Sequence, residues 1–422
     1  MVPARTDGRG AAPPARPPRT PICFHSLPAD ATVSGVKRPL GLLALSITTF
    51  VFLAMPKSAF GIAWPSVAGD FGRSIGDLGL VITVYVIGYF LSSVATGAMS
   101  RRFQMGPPLM VAAALATVSL VGYAVATSWV GLLVAAAGLG LAGGIIDAGV
   151  NAVVAVRHGA RAMGMLHAGF GVGATLGPLM MTALIETDSS WRIGFVLLAV
   201  GQGVLAVLYM RTRSRWDVVV DPVDSAASAG PGRRGVMMGA LAVFALYSGV
   251  EVGTGQWAYS LLTEGRGLST GAAGLAVTAF WAALTVSRIG LGLVGHRVPI
   301  HRLLGASPTL ALVGVVAVWL NPADWAGPVG LVVAGFALGP IFPLQTTLTP
   351  SRVGAAYTPT AVGYQLAAAT VGAAVVPGGL GILVSSFGLE VVGAVLVVTT
   401  VLLVGSIEVL RRMGIRRAPS LP

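Results

Sequence analysis

Three ionisable residues lie deep inside long apolar stretches of the chain: Lys57 in FLAMPKSAFGIAWP, Asp147 in GGIIDAGVNAVVAV and Glu251 in YSGVEVGTGQWAYS. A charge at the centre of a bilayer costs at least about 2.5–3.5 kcal/mol, so each such group is either functional or compensated by a partner. Asp147 is followed one helical turn later by Asn151, which puts both on one face. A carboxyl group there can take up and release a proton as its access to water alternates. Lys57 needs a counter-charge, and Asp147 is the candidate. A proton or a substrate carboxylate would break that pair if it is a switch; otherwise Lys57 simply neutralises the acid.

Glu251 is followed by Gln256 and Trp257, so an acid, an amide and an aromatic come close together. That set suits a polyhydroxylated solute, the amide donating and accepting while the indole stacks on an apolar sugar face. Trp257 would equally suit the interfacial belt. His167 titrates near neutrality when unperturbed, and could contact substrate, relay protons or be satisfied by a neighbouring helix. Gln345 and Gln365 are further cavity candidates. Arg288 precedes Arg297 by nine residues, roughly 13 Å along a helix; it could pair with an acid or stabilise a gate.

Other chemistries lack their residues. The two lysines, Lys37 and Lys57, stand in no phosphate-binding G-x-x-x-x-G-K-[ST] loop, and no histidine precedes a glutamate as a zinc protease needs. One cysteine, Cys23, excludes an internal disulfide framework and any multi-cysteine metal site. No enzyme activity, cofactor or metal is expected.

The elements that must hold these residues follow from composition. Of 422 residues 55% are apolar and only 10% charged, and the mean hydropathy is +0.83. A soluble protein would carry about a quarter charged residues. From Leu40 onward the chain reads as twelve apolar stretches, each near or above the roughly 20 residues that span a bilayer: 39–66, 75–100, 107–127, 129–156, 161–185, 191–211, 235–263, 269–295, 300–320, 325–349, 356–385 and 388–410. The 58 glycines and 26 prolines suit helices that pack closely and bend within lipid. The expected organisation is a disordered basic tail (1–38), a six-helix half (39–211), a linker (212–234), a second six-helix half (235–412) and a short tail (413–422).

Formal net charge is +12. All of the 27 Lys and Arg residues except Lys57, Arg73, Arg192 and Arg266 fall at one end of the helices, with both termini. The positive-inside rule makes that end cytoplasmic. The excess charge is therefore topological and does not mark a nucleic-acid surface.

The halves also repeat. Gly97-Ala98-Met99-Ser100-Arg101-Arg102 ends the second stretch and Gly292-Leu293-Val294-Gly295-His296-Arg297 the eighth. Gly173-Ala174-Thr175-Leu176-Gly177-Pro178 in the fifth answers Gly372-Ala373-Ala374-Val375-Val376-Pro377 in the eleventh. Six plus six helices, a central linker and these Gly-led basic turns resemble the major facilitator superfamily from about Leu40 to Arg412. The nearest resemblance is to its fucose:proton symporter-like branch, through Asp147 and Asn151 and the stretches LHAGFGVGATLGPL, YSGVEVGTGQWAYSLL, FWAALTVSRIGLGL and GPIFPLQTTLTPSRVG. One departure is Arg101, which stands where the superfamily's loop motif carries Asp; the basic part, Arg101 and Arg102, is kept.

The resemblance implies an all-α integral membrane protein working by alternating access about a site between the halves. It also implies proton coupling or sugar binding at the Asp147 position. The expected function is uptake of a small polar solute such as a sugar, coupled to H+ with Na+ left open. The protein is expected to act as a monomer in the cell membrane, with gating at Arg101, Arg102, Arg288 and Arg297. Efflux of amphipathic compounds is the first alternative, because the Gly171–Pro178 run also resembles the helix 5 motif of drug:proton antiporters. A non-transporting receptor is the second.

Overall fold

The structure, a computed structural model, describes residues 40–99, 104–216, 234–294, 297–354 and 357–415. The chain divides into a unit of residues 1–38, outside the described residues, and a unit of residues 39–422. Among the described residues twelve helices are long and apolar enough to cross a bilayer: α1 (Gly41–Asp70), α2 (Ile75–Thr96), α3 (Gly106–Val125), α4 (Trp129–Gly159), α5 (Arg161–Glu186), α6 (Trp191–Arg215), α7 (Arg234–Gly265), α8 (Thr270–Leu293), α9 (Arg302–Leu320), α10 (Ala326–Thr347), α11 (Thr360–Phe387) and α12 (Val391–Met413). Among the described residues there is no strand. Each helix end lies within about one turn of the span read from hydropathy.

Two boundaries move. Helix α6 continues into what reads as linker: a 3-10 turn covers Arg213–Arg215, and buried Trp216 folds back on Tyr209 with ring centroids 5.0 Å apart, donating to Thr212 Oγ1 at 3.0 Å. The last helix runs on to Ile415. The remaining linker residues, 217–233, and residues 416–422 lie outside the described set. Helices α4 and α5 join through Gly159, whose φ of 76° and ψ of −170° break the helix in a conformation that L side chains rarely adopt.

Glycine sets how closely the helices meet. A side chain at Gly140 or Gly144 of α4 would strike the backbone carbonyls of Tyr85 or Tyr89 on α2. Gly169, Gly173 and Gly177 of α5, one turn apart, rest on the carbonyls of Ile47, Val51 and Met55 in α1. Gly372 of α11 meets the carbonyl of Ala245 in α7 as Gly173 meets that of Val51. The repeat seen in sequence is thus a repeat of packing: α5 on α1, and α11 on α7.

The halves meet from mid-depth to the end where α1 finishes and α2 begins. Gly61 lies against the Gln256 backbone, where a Cβ would stand 2.8 Å from the carbonyl oxygen. Gly76 and Gly79 face Gly378 and Gly381, Gly171 faces Thr285, and Gly274 faces Thr182. Toward the other end, Gly164, Gly290, Gly292 and Gly363 on α5, α8 and α11 border open space, with nothing within 4 Å of where a Cβ would stand. The glycine contacts between the halves thus lie from mid-depth toward one end of the seam, and these four glycines take no part in them.

The three arginines at the end where α1 finishes and α2 begins each have a structural partner. Arg192 donates to the carbonyls of Ala124 (3.0 Å) and Ala126 (2.8 Å) at the end of α3 and lies 3.5 Å from Asp70, to which Trp191 also donates. Arg266 does the same for α9, donating to Val318 (2.6 Å) and Trp319 (3.1 Å) while pairing with Glu390 at 2.8 Å. A cation at a helix C-terminus satisfies orphan carbonyls and opposes the helix dipole. Arg73 lies over the Trp129 ring, 4.9 Å from its centroid.

Two hydrogen bonds from Arg266 hold the Glu390 carboxyl below the usual carboxylate range. A group depressed in the folded state stabilises the fold above its unfolded pKa of about 4.3, and that contribution is lost as pH falls through the folded value. Glu390 is 58% exposed, so the effect is small. Glu390→Gln is expected to flatten the acid end of the thermal-stability profile of the purified protein. Arg266→Ala, which orphans two helix carbonyls as well, should cost about 1–3 kcal/mol at neutral pH; thermal unfolding in detergent across the pH range checks both.

Candidate functional site

The polar groups of the seam come from six helices. On α4, the Asp147 carboxylate accepts from Tyr89 of α2 at 2.6 Å and from Asn151 at 3.0 Å, while Asn151 also donates to the Asp147 carbonyl at 2.9 Å. The i, i+4 spacing places Asn151, and the close α2–α4 contact at Gly140 and Gly144 brings the phenol within reach. Tyr85, one turn before Tyr89, stands 6.2 Å from it ring to ring.

On α7, Glu251 pairs with Arg288 of α8 at 3.2 Å, and the same guanidinium nitrogen donates to Tyr247 at 2.7 Å. Tyr247 and Glu251 are one turn apart and so share a face. Arg288 thus takes the acid-pairing role among those open to it from sequence. Its Nε, like Asn151 Oδ1 and Trp281 Nε1, is buried without a hydrogen-bond partner among the described residues.

Lys57 does not pair directly with Asp147. No ion pair within 4 Å forms, and the acid is held by Tyr89 and Asn151 instead. Lys57 lies within electrostatic range of Glu251, Asp147 and Arg288. It lines two adjoining cavities: one includes Phe60, Tyr85, Tyr123 and Phe195, the other Thr49, Gly143 and Gln202. His167 of α5 is exposed, faces Phe50 edge-on at 6.0 Å and lies within range of both Asp147 and Arg288. Lys57, Asp147, His167, Glu251 and Arg288 therefore form one electrostatic group across the seam.

Other candidates fall elsewhere. Gln256 is 2% exposed and its amide donates to the Lys57 carbonyl at 2.8 Å, so it ties α7 to α1. Trp257 is fully buried and donates to the Pro377 carbonyl at 3.0 Å; it joins α7 to α11 and is neither a stacking platform nor an interfacial residue. Gln345 and Gln365, each 1% exposed, accept from Arg352 (2.7 Å) and Thr349 (3.1 Å) within the second half. Their burial places them in a packed network and removes them from the seam cavity. Arg297 is exposed, and Arg101 and Arg102 lie outside the described residues.

Tyr89 and Tyr247 are the site residues that sequence reasoning missed. The signal was available: each is a tyrosine on a bilayer helix, and a buried phenol needs a hydrogen-bond partner.

Residues 45–377 match the family model described as the Major Facilitator Superfamily. The chain belongs to that superfamily, which makes it a transporter rather than an enzyme. It is similar to Bypass of stop codon protein 6 of Saccharomyces cerevisiae, at 26% identity over 278 residues, 59% of this chain and 56% of that protein. It is also similar to the Hexuronate transporter of Bacillus subtilis, at 26% identity over 247 residues, 53% of this chain and 58% of that one. The chain thus spans a little over half the length of these relatives. Among solved structures, an inward-facing, occupied bacterial homologue of the human lysosomal transporter Spinster superposes with a TM-score of 0.75 at 17% identity, covering 92% of this chain and all of that one; this likeness establishes the fold.

The α2–α4 contact gives a test of how the site is held. Gly144→Val should drive α2 from α4 and part Tyr89 from Asp147, at an overpacking cost of about 1–3 kcal/mol. Expected results are a lower melting temperature in detergent and a large loss of solute transport, whereas Gly164→Ala, where a Cβ meets nothing within 4 Å, leaves both near wild type.

Proposed function

We propose that this transporter takes up a small polar solute, a sugar or sugar-like molecule, together with a proton, with Asp147 as the coupling acid. The observation that carries the reading is Asp147 itself. It is an acid at mid-membrane, held by a phenol and an amide, with Lys57 and His167 of its own half within electrostatic range and Glu251 and Arg288 of the other half within range of Lys57. Neutral donors support the carboxylate without fixing its charge, so proton gain does not strand a bonded cation. The unmet capacity of Asn151 Oδ1 and Arg288 Nε is the kind a hydroxylated solute satisfies. The aspartate and asparagine of α4 favour the fucose:proton symporter-like branch, and a hexuronate transporter among the relatives agrees with a sugar-like solute.

With both termini cytoplasmic, by the distribution of basic residues, the end of the seam where the glycines of the two halves meet faces outward. The protein then acts as a monomer in the cell membrane. In this reading Glu251 and Arg288 set the charge of the second half, and Gln256 closes the outer seal through Lys57.

A second reading, efflux of an amphipathic compound, draws on the aromatic wall of Phe60, Tyr85, Tyr123 and Phe195 beside Lys57. Flux in proteoliposomes separates the two. Under an inward proton gradient a sugar panel should yield at least one accumulated solute, with Asp147→Asn abolishing gradient-driven accumulation while keeping solute exchange across the membrane. Absence of movement for every sugar, or full coupling in Asp147→Asn, defeats the proposal; proton-driven extrusion of a hydrophobic dye would favour efflux.

A further inference from the structure

Of the charged groups at the seam, three are already bonded. Arg288 holds Glu251 and Tyr247, and Asp147 holds Tyr89 and Asn151. Lys57 is different: among the described residues its ammonium makes no hydrogen bond and no ion pair, and the bond it does accept, from Gln256, goes to its backbone carbonyl. Lys57 nonetheless lines both cavities beside Tyr85. An ammonium group carries three donors, and leaving them unmet away from bulk water is costly.

The groups facing Lys57 across the surrounding helices are Glu251 on α7, Asp147 on α4 and Arg288 on α8, with His167 on α5 near the last two and the phenols Tyr85 and Tyr89 on α2. With His167 neutral, the cations Lys57 and Arg288 balance the anions Asp147 and Glu251. When Asp147 takes up a proton, one positive charge is left over, and the group free to present it is Lys57.

We propose that the solute is an anion whose carboxylate docks on the Lys57 ammonium, and that it loads together with the proton on Asp147. The proposal rests on the reading of Asp147 as the coupling acid and deepens it by naming the charge of the solute. A proton alone leaves the site at a net +1 and an anion alone leaves it at −1; together they restore neutrality. Charge in a low-dielectric site thus links the two bindings without any direct contact between proton and carboxylate. Each cycle moves one anion with one proton and no net charge. The aromatic wall of Phe60, Tyr85, Tyr123 and Phe195 beside the ammonium suits a carboxylate borne on a single six-membered ring, whether a sugar acid or an aromatic acid.

The test uses the full chain in proteoliposomes under an imposed inward proton gradient, with glucuronate, 4-hydroxybenzoate and glucose as probes and protein-free vesicles to correct for leak. Glucuronate or 4-hydroxybenzoate should accumulate, the one that does identifying which acid is carried. Glucose should not, and clamping the membrane potential at zero or inside-negative should leave the rate unchanged. Lys57→Gln should lower uptake of the accumulated acid at least about tenfold, the scale of a lost charge-assisted hydrogen bond. Lys57→Arg, which keeps the charge and reports on folding, should stay within a few-fold of wild type. Proton-driven accumulation of glucose with neither acid moving overturns the anion inference and leaves proton-coupled uptake standing. If no probe moves, both readings fail. Uptake of the acid that is unchanged in Lys57→Gln, or that rises with an inside-negative potential, overturns the inference alone.

Discussion

A charge placed at the centre of a bilayer costs at least about 2.5–3.5 kcal/mol, and the position of almost every ionisable group among the described residues follows from that penalty. Arg192, Arg266 and Arg73 lie on the end of the molecule that the positive-inside rule disfavours, and each is absorbed by helix-end carbonyls, a carboxylate or an indole face. Charges that lie deeper are not scattered among the helices. They gather where the halves meet, because there alone several helices can bring compensating groups to one place without exposing any of them to lipid.

Glycine makes that gathering compatible with motion. A seam held by interlocking large side chains would resist sliding, since packed interiors tolerate few rearrangements. Here the halves touch backbone to backbone, at Gly79 against Gly378 and Gly381 and at Gly61 against Gln256. The ion pairs Asp70–Arg192, Glu251–Arg288 and Arg266–Glu390 each lie within one half. In the proposed alternating-access cycle, rocking the halves would separate small apolar contacts and the Gln256 bond to Lys57 while the charged pairs travel intact. The same logic explains why glycine is so abundant and why it recurs at equivalent places: Gly173 on Val51 and Gly372 on Ala245 are one packing solution used twice.

The twelve helices were legible because hydropathy is a local property, summed over about 20 residues with no knowledge of neighbours. The partners were not, because they depend on which faces meet. Asp147 and Asn151 could be put on one face by spacing alone, but Tyr89 comes from another helix and arrives only through the glycines of α4. Lys57 and Asp147 have the right depth and opposite charge, yet side-chain direction keeps them from direct contact. Trp257 shows the limit most clearly. Its nearness to the end of α7 suggested solvent or substrate, whereas α11 packs over it and Pro377 supplies the carbonyl that satisfies its indole. Pro377 lies inside its helix, and which of its backbone acceptors meets α7 depends on how the two helices pack, which no sequence pattern announces.

The halves match in packing but not in charge, and under the proposed proton coupling the mismatch favours one acid over the other as the carrier. Glu251 is bonded to a guanidinium; protonating it would break that pair and leave Arg288 uncompensated within the membrane, where removing one partner of a buried ion pair costs several kcal/mol. Asp147 is bonded to a phenol and an amide. When it is protonated, Tyr89 can turn from donor to acceptor and Asn151 offers both kinds of group, so each hydrogen bond survives in altered form. An acid that must titrate once per cycle is best held by partners that can exchange the direction of their hydrogen bonds, and an acid that must stay ionised is best held by a fixed cation. The first half supplies the former arrangement and the second half the latter.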